Sequence, residues 1–126
     1  MAEPNIKLNR DGAIATVTIN CAERRNAITN EMMEALAAIS ADFAKDEQTR
    51  AVIFRGEGTD FSVGADLNQP RFQGQAPATL LMRRRAAELG ATLMRALQEI
   101  HQPTICAVQG VATGAGACIA SACDFR

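Results

Sequence analysis

Short apolar runs alternate with longer amphipathic stretches along this chain, and this alternation limits the folds that it can adopt. Runs of strand length occur at residues 6–8, 14–19, 51–54 and 104–108, and stretches with helical spacing occur at 29–44 and 78–100. Between the first two runs, the Arg-Asp-Gly turn at 10–12 predicts a hairpin, because glycine tolerates positive φ. A glycine-rich turn at 110–116 leads into an alanine-rich helix. Strand–turn–helix units in this order predict an α/β fold.

Composition argues against several other classes of protein. A chain of 126 residues with 48% hydrophobic and 21% charged residues can form the core of one modest folded domain. The net charge of −1 provides no overall electrostatic attraction for nucleic acid. The basic run at 83–85 is interpreted as a solvated helix face. The four cysteines lack CxxC spacing, which argues against zinc and against a disulfide framework. Without a signal-like or membrane-length apolar segment, a cytoplasmic location is expected.

Two glycine-containing turns are the candidate functional site. The sequence FSVGADL at 61–67 and the sequence QGVATGAGA at 109–117 each follow an apolar run of strand length. Neither turn offers a Ser–His–Asp or Cys–His set, and the single histidine, His101, is expected at the surface. Glycine allows close backbone approach, and the first amides of a helix lack intrahelical acceptors. Two such turns brought together would offer two N–H donors to one oxyanion, although tight packing is the simpler explanation for either turn alone.

Several segments, in their order and spacing, carry a resemblance to a known family. They are the opening hairpin, RRNAI at 24–28, AVIFRG at 51–56, FSVGADL at 61–67, PTICAVQG at 103–110 and ASACD at 120–124. Together they resemble the enoyl-CoA hydratase/isomerase (crotonase) superfamily nearly end to end. The resemblance implies a spiral core of repeated ββα units, usually assembled as trimers or as dimers of trimers. It also implies an acyl-CoA thioester as substrate and no separate cofactor, because coenzyme A is part of the substrate.

The resemblance assigns roles to particular residues of this sequence. The backbone amides of Ala65 and Ala115 are expected to form an oxyanion hole for the thioester carbonyl. Residues expected to line the substrate path are Arg24, Val63, Gly64, Asp66, Leu67 and Gly114. For Arg24, a contact with a coenzyme A phosphate and a solvated loop position are equally expected. Asp66 is expected to cap the following turn rather than to contact ligand.

One position departs from the family pattern. Hydratases commonly carry Gly-Gly-Gly-Cys-Glu or a close variant where this chain has Gly-Ala-Gly-Ala-Cys at 114–118. Cys118 therefore stands where a hydratase has the first of its two catalytic glutamates. A buried packing role is expected for Cys118 in preference to a nucleophilic one. Hydration that needs two glutamates is accordingly doubtful, whereas double-bond isomerisation needs one acid/base group.

Two alternatives from other classes stay open at this point. One is a crotonase-like subunit that keeps the scaffold but is catalytically silent. The other is a nucleotide-binding protein of the short-chain dehydrogenase type, because Gly110, Gly114 and Gly116 resemble its glycine-rich turn. That turn belongs after the first strand of such proteins, whereas here it lies near residue 126.

Two further expectations concern the organisation of the chain. Residues 1–126 look like the N-terminal part of a single crotonase-like domain, truncated before the C-terminal part, and activity of these residues alone is doubtful. The strands at 51–54 and 104–108 are expected to be covered on both faces. The polar segment at 68–77 is expected to be a mobile loop that becomes ordered when an acyl-CoA binds.

Overall fold

A four-stranded mixed sheet forms the centre of the computed structural model, which describes residues 3–74 and 79–126. The strands are β1 (Ile6–Asp11), β2 (Ile14–Ile19), β3 (Ala51–Gly56) and β4 (Thr104–Ala107), and they lie in the order β1-β2-β3-β4. The β1 strand pairs antiparallel with β2, whereas β2 with β3 and β3 with β4 are parallel pairs. The predicted hairpin and the α/β class are both confirmed.

Helices make the connections that the parallel strand pairs require. Helix α1 (Asn30–Phe43) connects β2 to β3, α2 (Leu80–Gln98) connects β3 to β4, and α3 (Ala115–Ala122) follows β4. Threonine side chains cap the first two helices, because the Thr29 hydroxyl accepts from the Met32 amide and the Thr79 hydroxyl from the Met82 amide. Short 3-10 turns lie at Ala22–Arg24 and Pro70–Phe72. The predicted start of the second long helix at residue 78 lies outside the described residues.

The hydrophobic core lies between one face of the sheet and the helices. The strand register places alternate residues of β2, β3 and β4 side by side, so that Val17, Phe54 and Cys106 form one row. Buried residues of all three helices belong to the same core. They include Met32, Leu36 and Phe43 of α1, Leu93 and Leu97 of α2, and Ile119 and Ala120 of α3.

Within the described part of the chain, the parallel strands are fully covered on one face and partly covered on the other. On the face opposite the core, Thr16, Ile53 and Ile105 form a neighbouring row and are only half-buried. The reason is that the buried residues of the helices all pack into the core on the other face.

The first turns of α2 extend beyond the core. Leu80, Leu81 and Met82 are 84%, 56% and 50% exposed, and the buried residues of this helix lie only in its C-terminal half. The three arginines at 83–85 are exposed, as predicted for a solvated helix face. Among the described residues, no helix is long and apolar enough to cross a membrane.

Candidate active site

A small group of parallel backbone segments lies beyond the ends of β2, β3 and β4. Ile28 forms an isolated parallel bridge with Ala65, and Ser62 forms another with Ala112. Hydrogen bonds of 2.8–3.1 Å accompany these bridges, including one from the Ile28 amide to the Gly64 carbonyl and one from the Thr113 amide to the Ser62 carbonyl. The two glycine-containing turns that the sequence singled out are therefore direct neighbours.

Gly64 and Gly114 are the points at which the two turns touch. Gly64 has a φ of +93°, and Gly114, the N-cap of α3, has a φ of +54°. A methyl group on Gly64 would lie 2.9 Å from the Thr113 carbonyl oxygen and 3.4 Å from the Ala115 nitrogen. A methyl group on Gly114 would lie 3.6 Å from the Gly64 Cα. Glycine is required at residue 64 for both its conformation and its space.

The amides of Ala65 and Ala115 are free donors at this contact. In the bridge with Ile28, the bonds use the Gly64 carbonyl and the Asp66 amide, so the Ala65 amide faces away from Ile28. Ala115 is the first residue of α3, where an amide has no intrahelical acceptor. Within residues 3–74 and 79–126, neither amide donates a hydrogen bond to another residue. Two such donors on adjoining turns suit a carbonyl oxygen that gains negative charge.

Ser62 and Asn26 hold the first turn in place, and the sequence analysis missed both roles. The fully buried Ser62 hydroxyl donates to the Asn26 carbonyl at 2.7 Å and accepts from the Gly64 amide at 3.1 Å. The buried Asn26 side chain accepts from the Cys21 amide. A methyl group on Gly116 would lie 2.7 Å from the Ser62 carbonyl oxygen, so α3 sits directly on this segment. The RRNAI motif contains Asn26, but nothing local in the sequence indicates its partners.

Asp60, Arg25 and Gln109 are further residues whose roles the sequence did not reveal. The Asp60 carboxylate accepts from the Val111 amide and from Arg25 Nε, both at 2.8 Å. The Arg25 guanidinium, followed by the Val111 amide, lowers the pKa of the Asp60 carboxyl from its ordinary value. The Gln109 side chain donates to the Gly56 carbonyl at 2.7 Å. These contacts fix the second turn to the end of β3.

Arg24 and Asp66, two of the residues expected to line the substrate path, form an ion pair with each other. Arg24 Nη1 donates to the Asp66 carboxylate, which is 6% exposed, and Arg24 Nε donates to Cys21 Sγ at 3.1 Å. Burial raises the pKa of the Cys21 thiol, which stays a neutral partner. Arg24 therefore makes more contacts than a solvated loop arginine would, and these contacts link the bend before α1 to the first turn.

The remaining residues of the first turn lie around this ion pair. Asp66 also accepts from the Asn68 amide at 2.9 Å, which is the turn-capping contact expected of it. Val63 is half-buried, and its amide donates to the Arg25 carbonyl at 3.2 Å. Leu67 is 65% exposed, so its side chain is available to a ligand that lies along the turn.

The segment after this turn is anchored in its described part. The Gln69 side chain accepts from the Asn30 amide at the start of α1 and donates to the Asp66 carbonyl, both at 3.1 Å. Gln73 Nε2 donates to the Leu67 carbonyl at 2.8 Å. Residues 75–77 of the predicted mobile loop lie outside the described residues, and the mobility of the loop stays a prediction.

The sequence of this chain matches a family model. The model for enoyl-CoA hydratase/isomerase matches residues 9–126, which is nearly the whole chain and includes both turns. The chain belongs to the enoyl-CoA hydratase/isomerase family. The crotonase-like α/β fold expected from the sequence is confirmed by the solved structures that share it.

Curated relatives within this family differ in their named reactions. A probable enoyl-CoA hydratase of Mycobacterium tuberculosis is 35% identical over 90% of this chain and 40% of its own length. The short-chain-enoyl-CoA hydratase of Clostridium acetobutylicum is 31% identical over 97% and 45%. The 1,2-epoxyphenylacetyl-CoA isomerase of Escherichia coli is 35% identical over 89% and 42%. The chain therefore spans less than half the length of these curated relatives.

Solved structures of family members superpose closely. An enoyl-CoA hydratase/carnithine racemase from Magnetospirillum magneticum has a TM-score of 0.88 at 31% identity, covering 99% of this chain and 46% of the other. A putative enoyl-CoA hydratase from Streptomyces coelicolor has a TM-score of 0.89 at 30% identity, covering 98% and 44%. The shared fold extends over almost the whole of this chain.

Cys118, at the position where hydratases commonly have a glutamate, is exposed, so the expected buried packing role is wrong. Helix α3 buries only the face that carries Gly116, Ile119 and Ala120, and Cys118 lies on another face. Its apolar neighbours in the sequence therefore do not enclose it. Within the described ranges, no group of three or more histidine, cysteine, aspartate or glutamate side chains is arranged to hold a metal ion.

Proposed function

We propose that this chain binds an acyl-CoA thioester and holds the thioester carbonyl oxygen between the amides of Ala65 and Ala115. The observation that carries the proposal is the contact between Gly64 and Gly114, which places two unpaired amides on adjoining turns. Family relatives named as hydratases and as an isomerase of CoA thioesters support this substrate class.

The chemistry of the proposal is stabilisation of a thioester enolate. Removing a proton beside the thioester, or attacking an enoyl thioester, places negative charge on the carbonyl oxygen. Backbone donors fixed by the fold stabilise that charge without rearranging during the reaction. In other enzymes, loss of one such donor costs about 2.7–4 kcal/mol in the transition state.

The reaction is proposed to be either enoyl-CoA hydration or double-bond isomerisation. Cys118 weighs against a hydration that needs two carboxylates, because a cysteine side chain does not offer the carboxylate that activates water in such a reaction. Isomerisation needs only one acid/base group, which this substitution does not remove. A catalytically silent acyl-CoA-binding subunit is the second candidate, and the same departure at Cys118 favours it. Assembly as a trimer or hexamer and a cytoplasmic location stay predictions.

The test replaces Ala115 with proline, which deletes one of the two proposed donors. Ala115 is the first residue of α3, the helix position that tolerates proline best, so the fold is expected to survive. Ala115→Gly is the matched control, because it removes the methyl group and keeps the amide. Binding of a saturated acyl-CoA and of free coenzyme A is measured by calorimetry for each variant.

Free coenzyme A lacks both the thioester carbonyl and the acyl chain, so the change in the affinity ratio between Ala115→Pro and Ala115→Gly, rather than the ratio itself, reports the proposed carbonyl contact. We expect the protein to bind acyl-CoA more tightly than coenzyme A, and Ala115→Pro to reduce this preference by about threefold to tenfold. Ala115→Gly should keep the preference. Equal binding of the two ligands by the unaltered protein, or an unchanged preference in Ala115→Pro, would contradict the proposal.

A further inference from the structure

Asp60 lies where three segments of the chain meet, and its side chain is only 9% exposed. One carboxylate oxygen accepts from the Val111 amide, and the other accepts from Arg25 Nε. The backbone carbonyl of Asp60 accepts from Asn26 Nδ2 at 2.8 Å. The residue therefore connects the bend before α1, the end of β3 and the second turn.

The Asp60 carboxylate acts as an acceptor within the backbone ladder between the two turns. In that ladder the Phe61 amide donates to Gln109, the Ser62 amide to Val111 and the Thr113 amide to Ser62. The Asp60 carbonyl accepts from Asn26, and the Asp60 side chain, rather than this carbonyl, accepts from the Val111 amide. A hydrogen bond to a carboxylate is stronger than one between neutral groups.

The backbone comes so close to Asp60 that residue 110 must be glycine. A methyl group on Gly110 would lie 2.6 Å from Asp60 Oδ1 and 2.3 Å from the Thr59 carbonyl oxygen. Gly110 also has a φ of +57°, which glycine adopts without strain. The second turn therefore both packs closely against the Asp60 carboxylate and donates a hydrogen bond to it.

Arg25 links the same carboxylate to the first turn. Its carbonyl accepts from the Val63 amide, two residues before Ala65, while its side chain binds Asp60. Asp60 in turn holds Val111, four residues before Ala115. The Arg25–Asp60 ion pair therefore adds a side-chain link between the two segments that carry the amides, beside the backbone ladder that joins them directly.

We propose that Asp60, held by Arg25, is a positioning residue that sets the separation of the Ala65 and Ala115 amides, and with it the preference for an acyl thioester over free coenzyme A. Asp60 acts through the Val111 amide and touches no reacting atom. This inference rests on the proposed function for its ligand, but the geometric part concerns the protein without ligand.

The test is Asp60→Asn, which keeps the shape of the side chain and removes its charge. Asparagine can still accept from the Val111 amide, but its NH2 group and the Arg25 guanidinium are both donors. Asp46→Asn is the matched control, since Asp46 also pairs with an arginine, Arg10. Asp46 precedes β3 and Asp60 follows it, at opposite ends of a strand about 20 Å long.

Two readouts are taken for each variant. The first is the ratio of the affinities for acyl-CoA and free coenzyme A. The second is the amide signals of Ala65 and Ala115 in 15N-labelled protein without ligand, assigned by NMR. We expect Asp60→Asn to lower the affinity ratio by about tenfold and to shift both amide signals, whereas Asp46→Asn leaves the ratio and both signals unchanged.

An unchanged ratio and unchanged amide signals in Asp60→Asn would overturn the inference. If the unaltered protein does not distinguish the two ligands, the proposed function fails, and the amide signals alone decide whether Asp60 positions the turns. If Asp60→Asn does not fold, Arg25→Gln provides the test, because the Arg25 side chain is 60% exposed. Arg25→Gln should reproduce the amide shifts and Arg25→Lys should restore them in part, and failure of Arg25→Gln to shift them would also overturn the inference.

Discussion

Replacing Gly64 with alanine tests the contact on which the candidate site depends. The new methyl group would meet the Thr113 carbonyl oxygen at 2.9 Å, and residue 64 would keep a φ of +93° that alanine rarely adopts. Backbone strain of this kind costs about 1–3 kcal/mol, and overpacking costs about 1–3 kcal/mol more. The free energy of unfolding should therefore fall by about 2–6 kcal/mol, and the preference for acyl-CoA over coenzyme A should be lost.

The matched control is Gly90→Ala in α2. A methyl group there meets nothing within 4 Å, and alanine is the better helix former, so this variant should gain about 0.5–1 kcal/mol. Because the chain has no tryptophan or tyrosine, urea unfolding is followed by circular dichroism. A Gly64→Ala protein within about 1 kcal/mol of the unaltered protein, with its ligand preference intact, would refute the reasoning.

Two further predictions follow from exposure and charge. Cys118 is exposed and the other three cysteines are buried, so one thiol should react rapidly with Ellman's reagent in folded protein. Cys118→Ser should remove the rapid reaction, and equal rates for all four thiols would contradict the structure. The fold lowers the pKa of Asp60, mainly through Arg25, and that of Asp46, mainly through Thr49. Each carboxylate therefore stabilises the fold fully above about pH 4, and this stabilisation is lost as the pH falls towards the lowered pKa values. Urea unfolding between pH 3 and 7 should show the free energy of unfolding falling at acid pH. An Asp46→Asn, Asp60→Asn double variant whose free energy of unfolding falls by the same amount would contradict this assignment.

Most elements of the fold were predictable because their signals are local. The Asp-Gly turn, the apolar stripe of α1 and the apolar runs of β3 and β4 each lie within a few residues of sequence. The end of α2 was predicted at residue 100 and lies at Gln98, a difference of two residues that is usual at helix ends. Burial was less predictable, because Cys118 has apolar neighbours in the sequence but lies outside the one buried face of an eight-residue helix.

The candidate site was predictable only in part. Glycine turns are visible in the sequence, and the resemblance indicated that the two turns meet. The residues that hold them together were not visible, because Asp60 contacts a residue 35 positions earlier and one 51 positions later. Asn26 and Ser62 likewise act across 36 positions. Long-range hydrogen bonds of this kind leave no periodic pattern in a single sequence.

The bridges from Ile28 to Ala65 and from Ser62 to Ala112 have a consequence for how such a site is mapped and how it changes. A backbone amide is present whatever side chain a codon specifies, with proline as the one exception. An alanine scan passes over residues 65 and 115 without a signal, since both are already alanine. Substituting proline at each position would detect amides that act as donors. Substituting alanine for each glycine would detect the positions that set the distance between those amides. The two amides themselves are inherited with the backbone, whereas Gly64 and Gly110, which the turns require, are not free to diverge.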